Sequence, residues 1–242
     1  HSMKTAIIIG VGPFEGVGGY LCDYAAKQGL HVIAAGRTQT KLDAVVSQVK
    51  ANGGQATAIV CDATVEAEVI DLVRQAEAIG PVDLAVYNAG NNFNGDFLTM
   101  EAEFFEKCWR VCTLGGFLFA RETLKVMQDR QAGTLLFTGA SASMRGKPRF
   151  APFTAAKAGL RAMAQSLARE FQPQGIHVAH VVIDGGIAGE KIIKGVPRFA
   201  ERAGEDGLVS LHGIAQAYMY LYQQPKTAWS HELDLRTFKE NF

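Results

Sequence analysis

The chain has 242 residues, 48% hydrophobic and 20% charged, enough to bury a full-sized core without a metal or a disulfide. Lys plus Arg and Asp plus Glu both number 24, with no basic tail or aromatic-basic run, which argues against nucleic acid as a partner. The four cysteines (Cys22, Cys61, Cys108, Cys112) form no C-x-x-C pair, and no apolar run reaches the length of a membrane span. The expectation is a reduced, cytoplasmic protein with no metal and no membrane partner. His1 and Ser2 ahead of Met3 read as an expression remnant, leaving 3–242 as one domain.

In chain order, short apolar runs alternate with amphipathic ones. Thr5–Val11 predicts a strand, Gly16–Gln28 a helix ended by Gly29, and His31–Ala35 a second strand. Lys41–Asn52 predicts a helix closed by Gly53-Gly54, Ala56–Cys61 a strand, and Glu66–Ile79 a helix stopped by Gly80-Pro81. Val82–Tyr87 is the fourth strand, followed by one long helical stretch over Glu101–Asp129, interrupted or crowded near Gly115-Gly116. Thr134–Thr138, a helix over Phe153–Gln172, and His177–Ile183 come next, then a helical segment over Ile214–Gln223 and a last strand at Glu232–Leu235. Continuous apolar strands alternating with helices predict an α/β fold: a single-domain, Rossmann-type, doubly wound parallel sheet of about seven strands with helices on both faces. The segment 185–212, Gly-rich and then charged, follows the sixth strand. Ligands of such sheets bind outside the carboxyl ends of the strands, so this segment is expected to cover the substrate.

Gly12, Gly16 and Gly18 lie between the first strand and the first helix, in Gly12-Pro13-Phe14-Glu15-Gly16-Val17-Gly18. Glycines there let the backbone turn sharply and approach a pyrophosphate, which the helix N-terminus then binds. A plain strand–helix turn that uses glycine is the alternative. The G-x-x-x-G-x-G spacing resembles the short-chain dehydrogenase/reductase family. So do Asp62-Ala63 after strand three, Asn88-Ala89-Gly90 closing strand four, and Ala155-Ala156-Lys157-Ala158-Gly159 in a helix. The resemblance implies a nicotinamide dinucleotide held by Gly12, Phe14, Glu15, Gly16, Val17, Gly18, Asp62, Ala63, Asn88, Ala89, Gly90 and Lys157. Arg37 and Thr38 stand where the adenosine ribose belongs, and an Arg there pairs with a 2′-phosphate. NADP is therefore favoured and NAD is the alternative. Glu15 argues the other way, because a carboxylate in the glycine loop repels a phosphate. A solvated Arg37 at a loop start is the bland reading.

The resemblance also implies a Tyr as proton donor, a Lys one helical turn later, a Ser that orients the substrate and an Asn that holds a relay water. The Tyr position is Phe153, and the position used by some enoyl reductases is Phe150. Neither has a proton to give. The Asn position is Cys112, the Ser position is Ala140 with Ser141 and Ser143 nearby, and the usual Pro-Gly after strand six is Ile183-Asp184. Only Lys157 is retained. A surface lysine is its bland reading, and a turn serine is that of Ser141. Cys112 lies four residues after Cys108, with Arg110 as its only basic neighbour, and is expected to pack rather than react. Tyr87 and Thr154 are further hydroxyl candidates, with Thr154 expected off the Lys157 face. His177 and His180 are expected in the core, and Phe93, Phe97, Phe150, Phe153 and Met144 in an apolar pocket wall.

Two functions follow. One is an NADP(H)-dependent oxidoreductase acting on a small organic carbonyl or enone, with Ser141, Lys157 or water replacing the Tyr. The other is a dinucleotide-binding sensor or non-catalytic subunit. The resemblance implies a homodimer or homotetramer through Glu101–Asp129 and Phe153–Gln172, where Gly115, Ala155, Ala156, Ala164 and Ala168 would permit close packing.

Overall fold

The computed structural model describes residues 3–90 and 92–242; the expectation for His1 and Ser2 falls outside the described residues. The strands are β1 (Thr5–Ile9), β2 (His31–Gly36), β3 (Gln55–Val60), β4 (Val82–Tyr87), β5 (Gly133–Ala140), β6 (Ile176–Ile183) and β7 (Glu232–Leu235). They form one parallel sheet in the order β3-β2-β1-β4-β5-β6-β7. The order reverses between β1 and β4, and the crevice outside the strand ends there is where doubly wound sheets bind ligands.

The helices are α1 (Val17–Ala26), α2 (Gln39–Ala51), α3 (Glu66–Ile79), α4 (Ala102–Trp109), α5 (Gly115–Arg130), α6 (Ala151–Phe171), α7 (Glu190–Gly195), α8 (Pro197–Ala203) and α9 (Leu211–Gln223). Successive β1 residues point to opposite faces. Ala6 and Ile8 meet Leu21 and Cys22 of α1, Leu42 and Val45 of α2, and Ile214 and Tyr218 of α9. Ile7 and Ile9 join the other core, with Leu72 of α3, Phe119 of α5, and Leu160 and Ala164 of α6. Both faces are buried, so the strands read as unbroken apolar runs.

Three of the differences from the sequence reading bear on the site. β1 ends at Ile9 because Gly10 takes φ +93°, and a Cβ there would come within 2.4 Å of the Asn88–Ala89 backbone. Only glycine fits so close a crossing. The long helix expected over Glu101–Asp129 is divided: α4 and α5 are joined by a π-helical turn, Arg110–Leu114, that contains Cys112. Such wide turns insert an extra residue and recur at functional sites. α6 starts two residues before Phe153, with Pro152 in its first turn, where a missing N–H costs nothing. Between residues 185 and 212, a parallel bridge joins Ile187 to Val209, and α7 and α8 form the arch between them.

Candidate cofactor and active site

Several predicted groups converge at the carboxyl ends of β1, β4 and β5. Gly16 caps α1 without any side-chain hydrogen bond, so the first N–H groups of that helix face the crevice. No atom lies within 4 Å of where a Cβ on Gly12 would stand, which leaves a cradle above the loop. Phe14 packs beside Tyr20 at a ring separation of 6.3 Å, and Val17 packs against the core under the loop. Arg37 and Thr38 are exposed at the end of β2, and Thr38 makes no capping bond to α2. Asp62 is half-buried after β3 and accepts from the Thr64 amide (2.9 Å) and hydroxyl (2.8 Å), while Ala63 is buried beside it. An uncapped helix end, open space above a glycine loop and a cation at the ribose position fit a dinucleotide.

A chain of hydrogen bonds that the sequence reading missed fixes the floor of this crevice. The Thr138 hydroxyl donates to Asn88 Oδ1 at 2.8 Å. Its proton being so used, the Tyr218 hydroxyl of α9 donates to Thr138 Oγ1 at 2.5 Å. Asn88 Nδ2 in turn donates to the Gly10 carbonyl at 3.3 Å. One network thus ties β5, β4, the start of the glycine loop and α9, across 80 residues of sequence between Thr138 and Tyr218. Threonine at a strand end carries no signal of such a partner.

Lys157 is buried, at 5% exposure, and its Nζ donates to the Thr138 carbonyl at 3.0 Å. Burial holds the ammonium below its ordinary pKa, against the opposing influence of the Cys112 and Cys108 thiols. Gly90 adopts φ +154°, and a Cβ there would stand 3.2 Å from Lys157 Nζ and 3.4 Å from Cys112 Sγ. The missing side chain therefore lets lysine and thiol come up to the backbone after β4. The structure brings together Gly90, Cys112, Phe153 and Lys157: the Phe153 ring centroid lies 5.8 Å from Nζ. Phe153 packs with Phe104 on a small cluster of Phe93, Cys108, Cys112 and Ala156. A hydrogen bond to Cys112 and then burial push the Cys108 thiol far up, so Cys108 resists ionisation.

The hydroxyl candidates fare differently. Tyr87 is fully buried and donates to the Val111 carbonyl at 2.5 Å, so it serves the core and the expectation of a site hydroxyl is corrected. Thr154 Oγ1 is buried without a partner and faces the Gly146 segment. Ser143 Oγ accepts from the Ala140 amide at 3.0 Å. Ser141 donates its proton to Asp184 Oδ1 at 2.7 Å. Asp184, only 1% exposed, also receives Arg145 at 2.6 and 3.2 Å and Arg236 at 3.3 Å. Burial alone would raise its pKa; Arg145, Ser141 and Arg236 outweigh that and hold the carboxylate below its usual range. Ser141 is thus an oriented acceptor beside a carboxylate. His177 stacks on Trp229 at 4.7 Å and His180 is wholly buried, as expected for β6. Phe150 lies at the N-terminal boundary of α6, whereas Phe97 and Met144, expected in a pocket wall, are 65% and 47% exposed.

Among the described residues, no group of three His, Cys, Asp or Glu could hold a metal, and no helix is long and apolar enough to cross a membrane. The short chain dehydrogenase family matches residues 4–189. A 3-oxoacyl-[acyl-carrier-protein] reductase FabG of Rickettsia bellii is 33% identical over 177 residues, which are 73% of this chain and 70% of that protein. The ketoacyl reductase HetN of a Nostoc species is 28% identical over 74% of this chain, and the match spans 62% of HetN, less than two thirds of its length. A crystal structure of a short-chain dehydrogenase from Rhodopseudomonas palustris superposes with a TM-score of 0.83 at 35% identity, covering 97% of this chain and 99% of that one. Sheet order, glycine turn, Asn-Ala-Gly segment and buried lysine agree with these matches, and the chain belongs to the short-chain dehydrogenase/reductase family.

Proposed function

We propose that this chain is an NADP(H)-dependent oxidoreductase that reduces an activated double bond, an enone or a reactive carbonyl, of a small organic substrate. The observation that carries the reading is the buried Lys157, held by the Thr138 carbonyl beside Gly90, with an inert phenyl ring one helical turn before it. When bound, the nicotinamide supplies the hydride. Gly12, Gly16, Val17 and Gly18 would receive the pyrophosphate at the start of α1, with Phe14 and Glu15 bordering it. Arg37 and Thr38 would hold the adenosine ribose and its 2′-phosphate, and Asp62 and Ala63 the adenine. Asn88, Ala89 and Gly90 would line the floor, and Lys157 would hydrogen-bond the second ribose. The segment 185–212 would close over the substrate.

Phe153 and Cys112 leave no acid at the usual place, and an activated C=C bond tolerates this best, since hydride goes to carbon and the other carbon takes its proton from water. Ser141, fixed by Asp184, would accept a hydrogen bond from the substrate rather than donate one. The same geometry supports a second reading, a dinucleotide-binding sensor or non-catalytic subunit, because neither Phe153 nor Ala140 carries a proton donor and the Ser141 proton goes to Asp184.

The test is titration with NADPH and NADH, followed by NADPH oxidation against aldehydes, ketones and enones, with Phe153→Tyr in parallel. Turnover of an enone by the native chain, lost in Lys157→Met, supports the reductase. Restoring the phenol should raise carbonyl reduction about 100-fold, the lower range of acid–base assistance. Binding without native turnover, with activity only in Phe153→Tyr, shifts the conclusion to the sensor.

Assembly as a homodimer or homotetramer is proposed from the family, with a revised basis. Gly115, Ala156, Ala164 and Ala168 pack inside the chain, and only Ala155 of the five small residues is exposed. The surface of α4 and α5 instead presents Phe105 (39% exposed), Trp109 (42%) and Phe117 (42%), an apolar stripe suited to a second copy.

A further inference from the structure

The segment that crosses the cofactor crevice brings a cation to it. Ala188 N–H donates to the Val209 carbonyl at 2.9 Å, and one turn on, the Glu190 amide donates to the Glu15 carbonyl at 2.7 Å. A Cβ on Gly189 would stand 3.1 Å from that same Glu15 oxygen and 3.8 Å from Gly16 Cα. The start of α7 therefore rests directly on the glycine loop, and Lys191 is the next residue after Glu190, with the charges of Arg37 and Lys41 close enough to act on it.

These three cations share one neighbourhood. Loss of hydration, then the charges of Lys41 and Arg37, hold the Lys191 ammonium below its ordinary pKa. Of the nearby carboxylates, Glu190 pairs with Lys194 at 2.8 Å, and the charge of Glu15 acts on the same ammonium. Among the described residues, Arg37, Lys41 and Lys191 have no ion pair. Three like charges gathered without a counter-ion repel one another. A phosphomonoester, with roughly −1.5 to −2 charge and three acceptor oxygens, relieves that repulsion; a ribose hydroxyl does not.

We infer that α7 supplies a third phosphate-binding cation, Lys191, which joins Arg37 and Lys41 around the 2′-phosphate of the adenosine ribose and makes closure of the 185–212 segment depend on that phosphate. The inference rests on the dinucleotide reading above. It adds a coupling: the phosphate holds the segment closed, and by reciprocity the closed segment tightens the grip on the phosphate. NADH would occupy the crevice without closing it.

The test uses the full chain with adenosine 2′,5′-bisphosphate and 5′-AMP, then NADPH and NADH, by calorimetry and by hydrogen exchange of residues 187–196. The bisphosphate and NADPH should slow exchange there, and 5′-AMP and NADH should not. Lys191→Ala, a surface change, should weaken bisphosphate binding about tenfold, the scale of a charge-assisted hydrogen bond, and leave 5′-AMP unchanged. Lys191→Arg should restore most of the loss. Equal effects of Lys191→Ala on both ligands, no effect on either, or equal protection by NADPH and NADH would overturn the inference. An Arg37-dependent preference for the bisphosphate that is indifferent to Lys191 would refute the lid alone. No preference in the native chain would remove the NADP reading with it.

Discussion

Thr138→Val replaces a hydroxyl by a methyl of the same shape, so it opens no cavity and tests hydrogen bonding alone. Two groups lose a partner: the fully buried Tyr218 hydroxyl, which donates to Thr138, and Asn88 Oδ1, which accepts from it. A buried polar group stripped of its partner costs about 1–3 kcal/mol, so the variant should lose about 2–4 kcal/mol. In a chain of this size that lowers Tm by roughly 10 °C. Tyr218→Phe removes only one donor and should cost about 1 kcal/mol. In the double variant no orphaned phenol remains, so the total should fall about 1–2 kcal/mol short of the sum of the singles. Urea unfolding of the four proteins measures the cycle. Additive costs would mean that Thr138 and Tyr218 do not depend on each other, and the network beneath the glycine loop would have to be abandoned. NADPH affinity should fall along with stability, because Asn88 also holds the Gly10 carbonyl.

Other consequences concern the buried charges. His180 has its pKa lowered from the usual 6.5 to about 4, by burial first, despite the hydrogen bond from its Nδ1 to Glu232 Oε2. Between those two values the unfolded chain binds the proton and the folded chain does not, so stability must fall as pH drops from 6.5 towards 4, by up to about 3 kcal/mol. Urea midpoints at pH 7 and pH 5 should differ in the native chain and draw together in His180→Gln; an undiminished difference would assign the effect to other groups. Asp184 acts in the same direction, its carboxyl held below the usual range, so its contribution is present above the ordinary carboxylate pKa and lost as pH falls through the lowered one. Asp184→Ala should cost about 2–3 kcal/mol at neutral pH, less than a fully buried pair because Arg145 is 38% exposed. A loss under 0.5 kcal/mol in thermal unfolding would show the cluster to be idle.

The arrangement of strands and helices was legible because its signals are local. Continuous Val, Ile and Ala runs marked strands covered on both faces, and Gly29, Gly53 and Gly80 punctuated the helices between them. The glycine turn and the spacing around Lys157 located the crevice, since backbone approach and helix-face placement depend on residues close in sequence. An interruption of the long helix near Gly115-Gly116 was legible from the glycines, but its form, a π-helical turn over Arg110–Leu114, was not, because a single inserted residue leaves the composition of a helix unchanged. Nor could the residues say that Tyr87 is committed to Val111, a partner whose only signal is a carbonyl.

The identity of the groups at the centre, Phe153, Cys112, Ala140 and Lys157, was decided by the sequence itself, and with it the absence of a phenolic acid. The tertiary structure alone decided what those groups and their neighbours do. It turned the Ser141 proton towards Asp184 across 43 residues. It set Tyr218 under Thr138 and laid Glu190 on Glu15, next to which Lys191 approaches Arg37 and Lys41. Hydrogen bonds and charge clusters between distant segments depend on how the segments pack, and packing leaves no periodic trace in either one.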